Sequence, residues 1–168
     1  MSASAGDVPG RWGGAMEYVQ VLRPLEQLER RLADLYAWFG ELFADDAEAA
    51  FVFHQMFLEE RAHVNLIDYQ RRLARGNPGV FGDVEVSLDK VEAGIARIDA
   101  VRSASPSPDL PAAIRFALEL EASAANYHLR AALRQSSPDM ARLMDSLGRA
   151  DRQHVGALRR LAETRGLV

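Results

Sequence analysis

The chain has no cysteine in its 168 residues. This excludes disulfides, iron–sulfur clusters and thiol catalysis, and leaves any metal to oxygen and imidazole donors. It also lacks a long apolar run. None approaches the roughly 20 residues needed to span a bilayer, and Met1 to Ala15 has no charged-then-apolar leader. The expectation is a cytoplasmic protein with no membrane partner. Nor is there an excess of positive charge. Acids outnumber bases 24 to 20, and the arginines are spread through Arg71, Arg72 and Arg75, Arg130 and Arg134, and Arg159 and Arg160 rather than one block. That argues against nucleic acid as a partner.

What is present is helical periodicity. The length suits one well-filled core, so residues 16–168 are expected to form a single domain behind a flexible Gly/Ser/Ala-rich lead-in at 1–15. A first helix is expected to start near Glu17, and no later than Pro24, and to run to about Ala44. A second starts behind the cap pair Asp45-Asp46 and stops at Gly76-Asn77-Pro78-Gly79. An additional short helix starts near Ser87 or Asp89, with Leu88, Val91, Ile95 and Ile98 at helical spacing. After a Ser/Pro linker at 103–111, a long helix runs from about Pro111 to Arg134. The last helix is announced by Ser136-Ser137-Pro138-Asp139 and ends near Thr164, before Gly166. The predicted fold class is all-α. Four long helices form a bundle, and a long crossover that contains the short helix links its halves.

Several acids fall on the apolar stripes of these helices. At about 100° per residue, Phe53, Met56, Phe57, Val64 and Ile67 lie within about 60° of Glu60, and His63 does too. Glu29 shares its side with Leu22, Leu25, Leu32 and Tyr36, whereas Glu26 sits on the margin. Glu121 lies among Ile114, Ala117, Leu118 and Ala125, while Glu119 points about 160° away into solvent. Asp151 and His154 share a face with Met140, Met144, Leu147 and Leu158. A buried, unpaired carboxylate costs several kcal/mol, so each of these acids must be protonated, paired or bound to metal.

Order and spacing narrow that choice. Glu29 precedes Glu60 by 31 residues and Glu121 precedes Asp151 by 30. Each half is an acid on one helix followed by acid-x-x-His on the next, the arrangement that di-iron carboxylate bundles project into their cores. Four carboxylates and two divalent ions also balance in charge. Tyr36 is either a hydrogen-bond donor to such a site or an ordinary core tyrosine. His128 is either an additional ligand or a hydrogen-bonded interior histidine. His54 lies on a helix flank. Trp38 points away from the Glu29 stripe and suits a subunit contact.

With Glu29, Tyr36, Glu59-Glu60-Arg61-Ala62-His63, Glu121 and Ala150-Asp151-Arg152-Gln153-His154 in this order, residues 20–165 resemble the ferritin-like proteins of the rubrerythrin group. The resemblance implies a di-iron site in a ferritin-like four-helix bundle. Glu29 and His63 would serve one iron, Glu121 and His154 the other, with Glu60 and Asp151 bridging. It implies oxidation of ferrous iron by hydrogen peroxide or dioxygen, as a non-haem di-iron oxidoreductase. Two departures bear on this. Asp151 stands where the family has Glu, with about 1.5 Å less reach. The cysteine-ligated rubredoxin iron is absent, so an external electron donor is implied. The short tail leaves no room for the extra helix of ferritin cages, and a homodimer is expected. Oxygen and imidazole donors accept manganese and zinc as well as iron. The alternative is a non-catalytic helical dimerisation or cargo module that kept the bundle, with its metal site degenerate, empty or filled by zinc.

Overall fold

A computed structural model describes residues 15–76, 87–132 and 137–167. Those residues form five helices: α1 (Ala15–Leu42), α2 (Ala47–Gly76), α3 (Leu88–Arg102), α4 (Leu110–Ala132) and α5 (Pro138–Glu163). The all-α expectation holds, and the helices occur in the predicted order. All but Ala15 of the N-terminal lead-in, and also Asn77-Pro78-Gly79, Arg134 and Ser136, lie outside the described residues.

The helix ends follow from local chemistry. At the start of α2, Asp46 Oδ1 accepts the Ala49 N–H at 3.0 Å, supplying one of the orphan donors of a first turn. Arg165 grips the same carboxylate at 2.5 and 2.6 Å, tying the chain beyond α5 to the α1–α2 turn. These bonds hold the Asp46 carboxyl below its ordinary value. At α4 the cap is Asp109, whose Oδ1 accepts from Ala112 N at 2.8 Å, so that helix begins at Leu110. Ser137 caps α5 ahead of Pro138, and Gly166, with φ +62°, allows the chain to turn after it. The start of α1 falls close to the expected Glu17. Helix α1 runs through Pro24 from a start at Ala15. Val21, Leu22 and Leu25 are all buried, so packing on both sides of the proline offsets the hydrogen bond it removes.

Packing arranges these helices as two pairs, α1 with α2 and α4 with α5. The pairs meet where α2 touches α5, while α3 lies against α1. A turn of four residues between α1 and α2 makes the first pair a helical hairpin. One continuous core links both pairs. Its largest fully buried side chains are Tyr36, Phe39 and Phe53, with Leu22, Leu25 and Leu32. Trp38 is half-buried and stacks on Phe39 with centroids 5.2 Å apart.

Close approach of α4 and α5 depends on Gly148. A Cβ there would lie 2.9 Å from Leu129 Cγ and 3.2 Å from the Leu129 backbone N. Gly148→Ala would gain about 1 kcal/mol of helix propensity but overpack a contact that costs about 1–3 kcal/mol to force. The expected result is a net loss of about 1 kcal/mol in urea unfolding; a stabilised variant would show that the two helices can move apart freely.

Candidate metal centre

The buried acids and histidines converge. Glu29, Glu60 and Glu121 are 0 % exposed and Asp151, His154 and His63 at most 9 %. Two groups form, Glu29 with Glu60 and His63, and Glu60 with Glu121 and His154. In each, one ligand atom per residue lies within 4.8 Å of the others. Glu60 belongs to both. Helix α1 supplies Glu29, α2 supplies Glu60 and His63, α4 supplies Glu121 and α5 supplies His154, so both helix pairs contribute.

The hydrogen bonds show how this cluster is balanced. His63 Nδ1 lies 3.2 Å from Glu29 Oε2 and 2.9 Å from Glu60 Oε2. His154 Nδ1 lies 3.2 Å from Glu121 Oε2. It also lies 3.1 Å from Glu60 Oε1, within ion-pair reach but out of line for a hydrogen bond. The two imidazole rings are 6.2 Å apart. Among the described residues, Glu29 Oε1, Glu60 Oε1 and His128 Nε2 are buried without a hydrogen-bond partner. Unpaired buried oxygens are costly unless something else meets them. Two carboxylate oxygens with spare lone pairs, beside imidazole nitrogens, are a donor set that suits a divalent cation. The residues therefore fit a metal.

Without a cation, protons do the balancing. Burial alone would depress both histidines, but Glu29 and Glu60 override it at His63, up to about 11. Glu121 and Glu60 do the same at His154, up to about 12. Burial, with the charge of Glu60, pushes Glu29 up to about 7. Burial would also raise Glu60, yet the imidazoles of His154 and His63 beside it hold it below its ordinary value. The metal-free core is thus a set of imidazolium–carboxylate pairs.

A pH dependence follows. Folded, His63 and His154 hold protons more tightly than at their ordinary 6.5, so their contribution to stability is complete below pH 6.5 and is lost as pH rises towards 11 and 12. Glu29 acts in the same direction between 4.5 and 7. The metal-free protein is expected to weaken steadily from pH 6.5 to pH 10, by up to about 1.4 kcal/mol per pH unit for each extra proton held. Urea midpoints measured in chelator across that range test this, and a flat or rising trend would contradict it.

Other candidate residues take different places. Asp151 joins neither group. Its Oδ2 is 2.7 Å from Nδ1 of the fully buried His128, so Asp151 and His128 form a pair of their own between α5 and α4. The short aspartate side chain fits this position beside the groups. Of the alternatives open for His128, the geometry is that of a hydrogen-bonded interior histidine. Tyr36 combines both of its alternatives: its ring is fully buried and its hydroxyl donates to Glu121 Oε1. Glu26, placed on a margin by the wheel, is buried at 6 % but meets Arg30 at 2.7 Å and Arg71 at 3.2 Å. Glu119 and His54 are exposed, as expected.

One residue escaped the sequence reading. Half-exposed Glu59 places Oε2 2.7 Å from His154 Nε2. A carboxylate on the outer nitrogen of an imidazole fixes its orientation and leaves the inner nitrogen, Nδ1, to face the cluster. Glu59 lies about 100° from Glu60 on the wheel, off the buried stripe. Only the α2–α5 contact reveals its role. A cavity of about 560 Å³ between those helices, lined by Gln55, Met56, Glu59, Gln153 and His154 among others, leads to this bond.

Comparison with family models, curated proteins and solved structures finds no match. Among the described residues no helix is long and apolar enough to cross a membrane.

Proposed function

We propose that the core holds two divalent metal ions and that the protein is a ferritin-like di-iron oxidoreductase. It would oxidise ferrous iron and reduce hydrogen peroxide or dioxygen. The observation that carries this reading is the sharing of Glu60 by two buried Glu/Glu/His groups. A shared carboxylate holds two cations close enough to act on one small molecule. The order of Glu29, Glu60, His63, Glu121 and His154 along four helices supports the ferritin-like fold, through the resemblance to the rubrerythrin group. Bound iron would supply the electrons for the reduction.

The chain's own residues have distinct parts in this reading. Glu29 and His63 would hold one ion, Glu121 and His154 the other, and Glu60 would face both. Glu59 orients His154. Tyr36 holds Glu121 from the buried side, and its hydroxyl stays protonated, because burial and the Glu121 charge raise it well above its ordinary value. Leucines, Phe53 and Met56 keep bulk water out of the core. The two histidines must give up their protons to accept a cation, so loading releases protons and tightens as pH rises.

A second reading, a non-catalytic helical module, draws on the same hydrogen bonds: His63 and His154, when protonated, already offset much of the carboxylate charge. Metal analysis separates the two. Protein stripped with chelator and reloaded anaerobically with ferrous iron is expected to retain about two ions per chain by elemental analysis. It should release protons on loading and consume peroxide afterwards. Failure to retain any divalent ion would leave the module.

A further inference from the structure

Helix α4 packs on α5 and α3 on α1, but α3 and α4 barely meet. Among the described residues, side chains link them at two places. At one end Arg97 on α3 meets Glu119 at 3.1 Å and lies 5.5 Å over the Phe116 ring. At the other the Tyr127 hydroxyl donates to the Ser87 carbonyl at 3.4 Å. Between these links the facing positions are small, Ala93 and Gly94 on α3 and Ser123 and Ala124 on α4, and they leave the space unfilled. The result is a cavity of about 390 Å³, floored by Leu28 and Leu32 of α1 with Val91 and Leu120. That volume suits a small organic molecule.

We propose that this cavity binds an amphipathic anion, an apolar tail about 10 Å long that ends in one carboxylate or phosphate. The tail follows from the floor and from the length of the gap. Lys90 and Arg97 lie seven residues apart on α3, about 10 Å along its axis, and leucine and valine side chains line the cavity beneath them. The anionic head follows from charge. The chain carries 24 acids against 20 bases, yet no acid lines the cavity, whereas Lys90, Arg97 and Arg130 do. Arg97 is already engaged by Glu119. Among the described residues no carboxylate pairs with Lys90 or Arg130. Both are exposed, and they lie three residues beyond Ser87 and Tyr127 respectively, so both stand within about one turn of the same link. The head therefore sits at that end, and the tail runs towards the other. Cations alone would suit any anion, but an apolar floor that starts beside them selects one with a tail. Glu29, Glu60, His63, Glu121 and His154 do not line this cavity, so its ligand is not the substrate of the metal centre. Binding does not depend on whether the core holds metal. A ligand seated there would nevertheless brace α1 against α4, the helices that carry Glu29 and Glu121.

Decanoate is the probe, with decyl phosphate to distinguish the head groups and decanol to remove the charge. In isothermal titration calorimetry at low salt, the metal-free full chain is expected to bind about one decanoate or decyl phosphate, with a dissociation constant of about 100 µM or tighter. The tighter of the two identifies the head group. Decanol should bind about 10-fold more weakly, as should either anion to the double variant Lys90→Gln, Arg130→Gln. Raising the salt to about 0.5 M should approach the same loss. Ala93→Phe sets a ring into the cavity from α3 and is expected to abolish binding, with helicity by circular dichroism unchanged. Absence of binding by both anions would overturn the proposal, as would decanol that binds as tightly as decanoate. Undiminished binding to a folded Ala93→Phe would place the anion on another surface, such as the exposed Leu58 on α2, and overturn it equally.

Discussion

Glu60→Gln is expected to strip both metal positions at once, taking bound metal from about two ions per chain towards none, whereas Glu29→Gln should leave about one. The reasoning is topological. Glu60 is the one residue common to both groups, while Glu29 serves only the group on α1 and α2. Glutamine preserves volume and one oxygen acceptor, so the helices stay in place. It removes the charge that holds His63 and His154, however, and that cost is separable from metal loss. In chelator, Glu60→Gln is expected to lower stability by about 3 kcal/mol, the lower end of what breaking a buried ion pair costs. Elemental analysis of Glu60→Gln and Glu29→Gln side by side provides the check. Equal losses would mean that the two groups do not share a residue in the loaded protein. Unchanged metal in both would place the ions elsewhere.

Much of this architecture could be read from periodicity, because each long helix carries a stripe wide enough to declare which side is buried. The stripes correctly placed Glu29, Glu60, Glu121, Asp151, His63 and His154 inside. They could not say which of these residues meet. A wheel gives a direction from one axis, whereas a contact depends on how two axes lie and how far each side chain reaches. Asp151 points inward as expected, yet it ends on His128 instead of joining Glu60. Glu59 points off the stripe and still reaches His154, because α5 lies against that flank of α2. Glu26 shows the same limit: it is buried, but a cation from the neighbouring helix, Arg71, meets it. Pro24 inside α1 makes a related point, since propensity is local and the packing that overrides it is not.

Loss of core packing should be distinguishable from loss of a ligand, and Phe53 offers the sharpest case. Its ring is fully buried, 5.1 Å from Phe39, 6.1 Å from Phe43 and 6.3 Å from Tyr36, and it lies two turns before Glu60 on α2. Phe53→Ala removes an aromatic ring from a place where three others cannot all collapse inward, and is expected to cost about 3–5 kcal/mol. Against a total of about 5–15 kcal/mol, that is about a fifth or more of the stability. For a chain of this size it corresponds to a fall of about 10–15 °C in the metal-free melting temperature. No ligand is touched, so at low temperature the variant should still take up about two ions per chain, and loading should recover part of the lost stability because the ions bind only the folded state. Glu60→Gln should show the converse: a smaller loss in chelator and no recovery on loading. Calorimetric scans of both variants, with and without ferrous iron under anaerobic conditions, decide the matter. If loading failed to rescue Phe53→Ala, the aromatic cluster would be holding the ligands in place and not merely filling the core. The Tyr36 hydroxyl on Glu121 would then be the link between packing and metal.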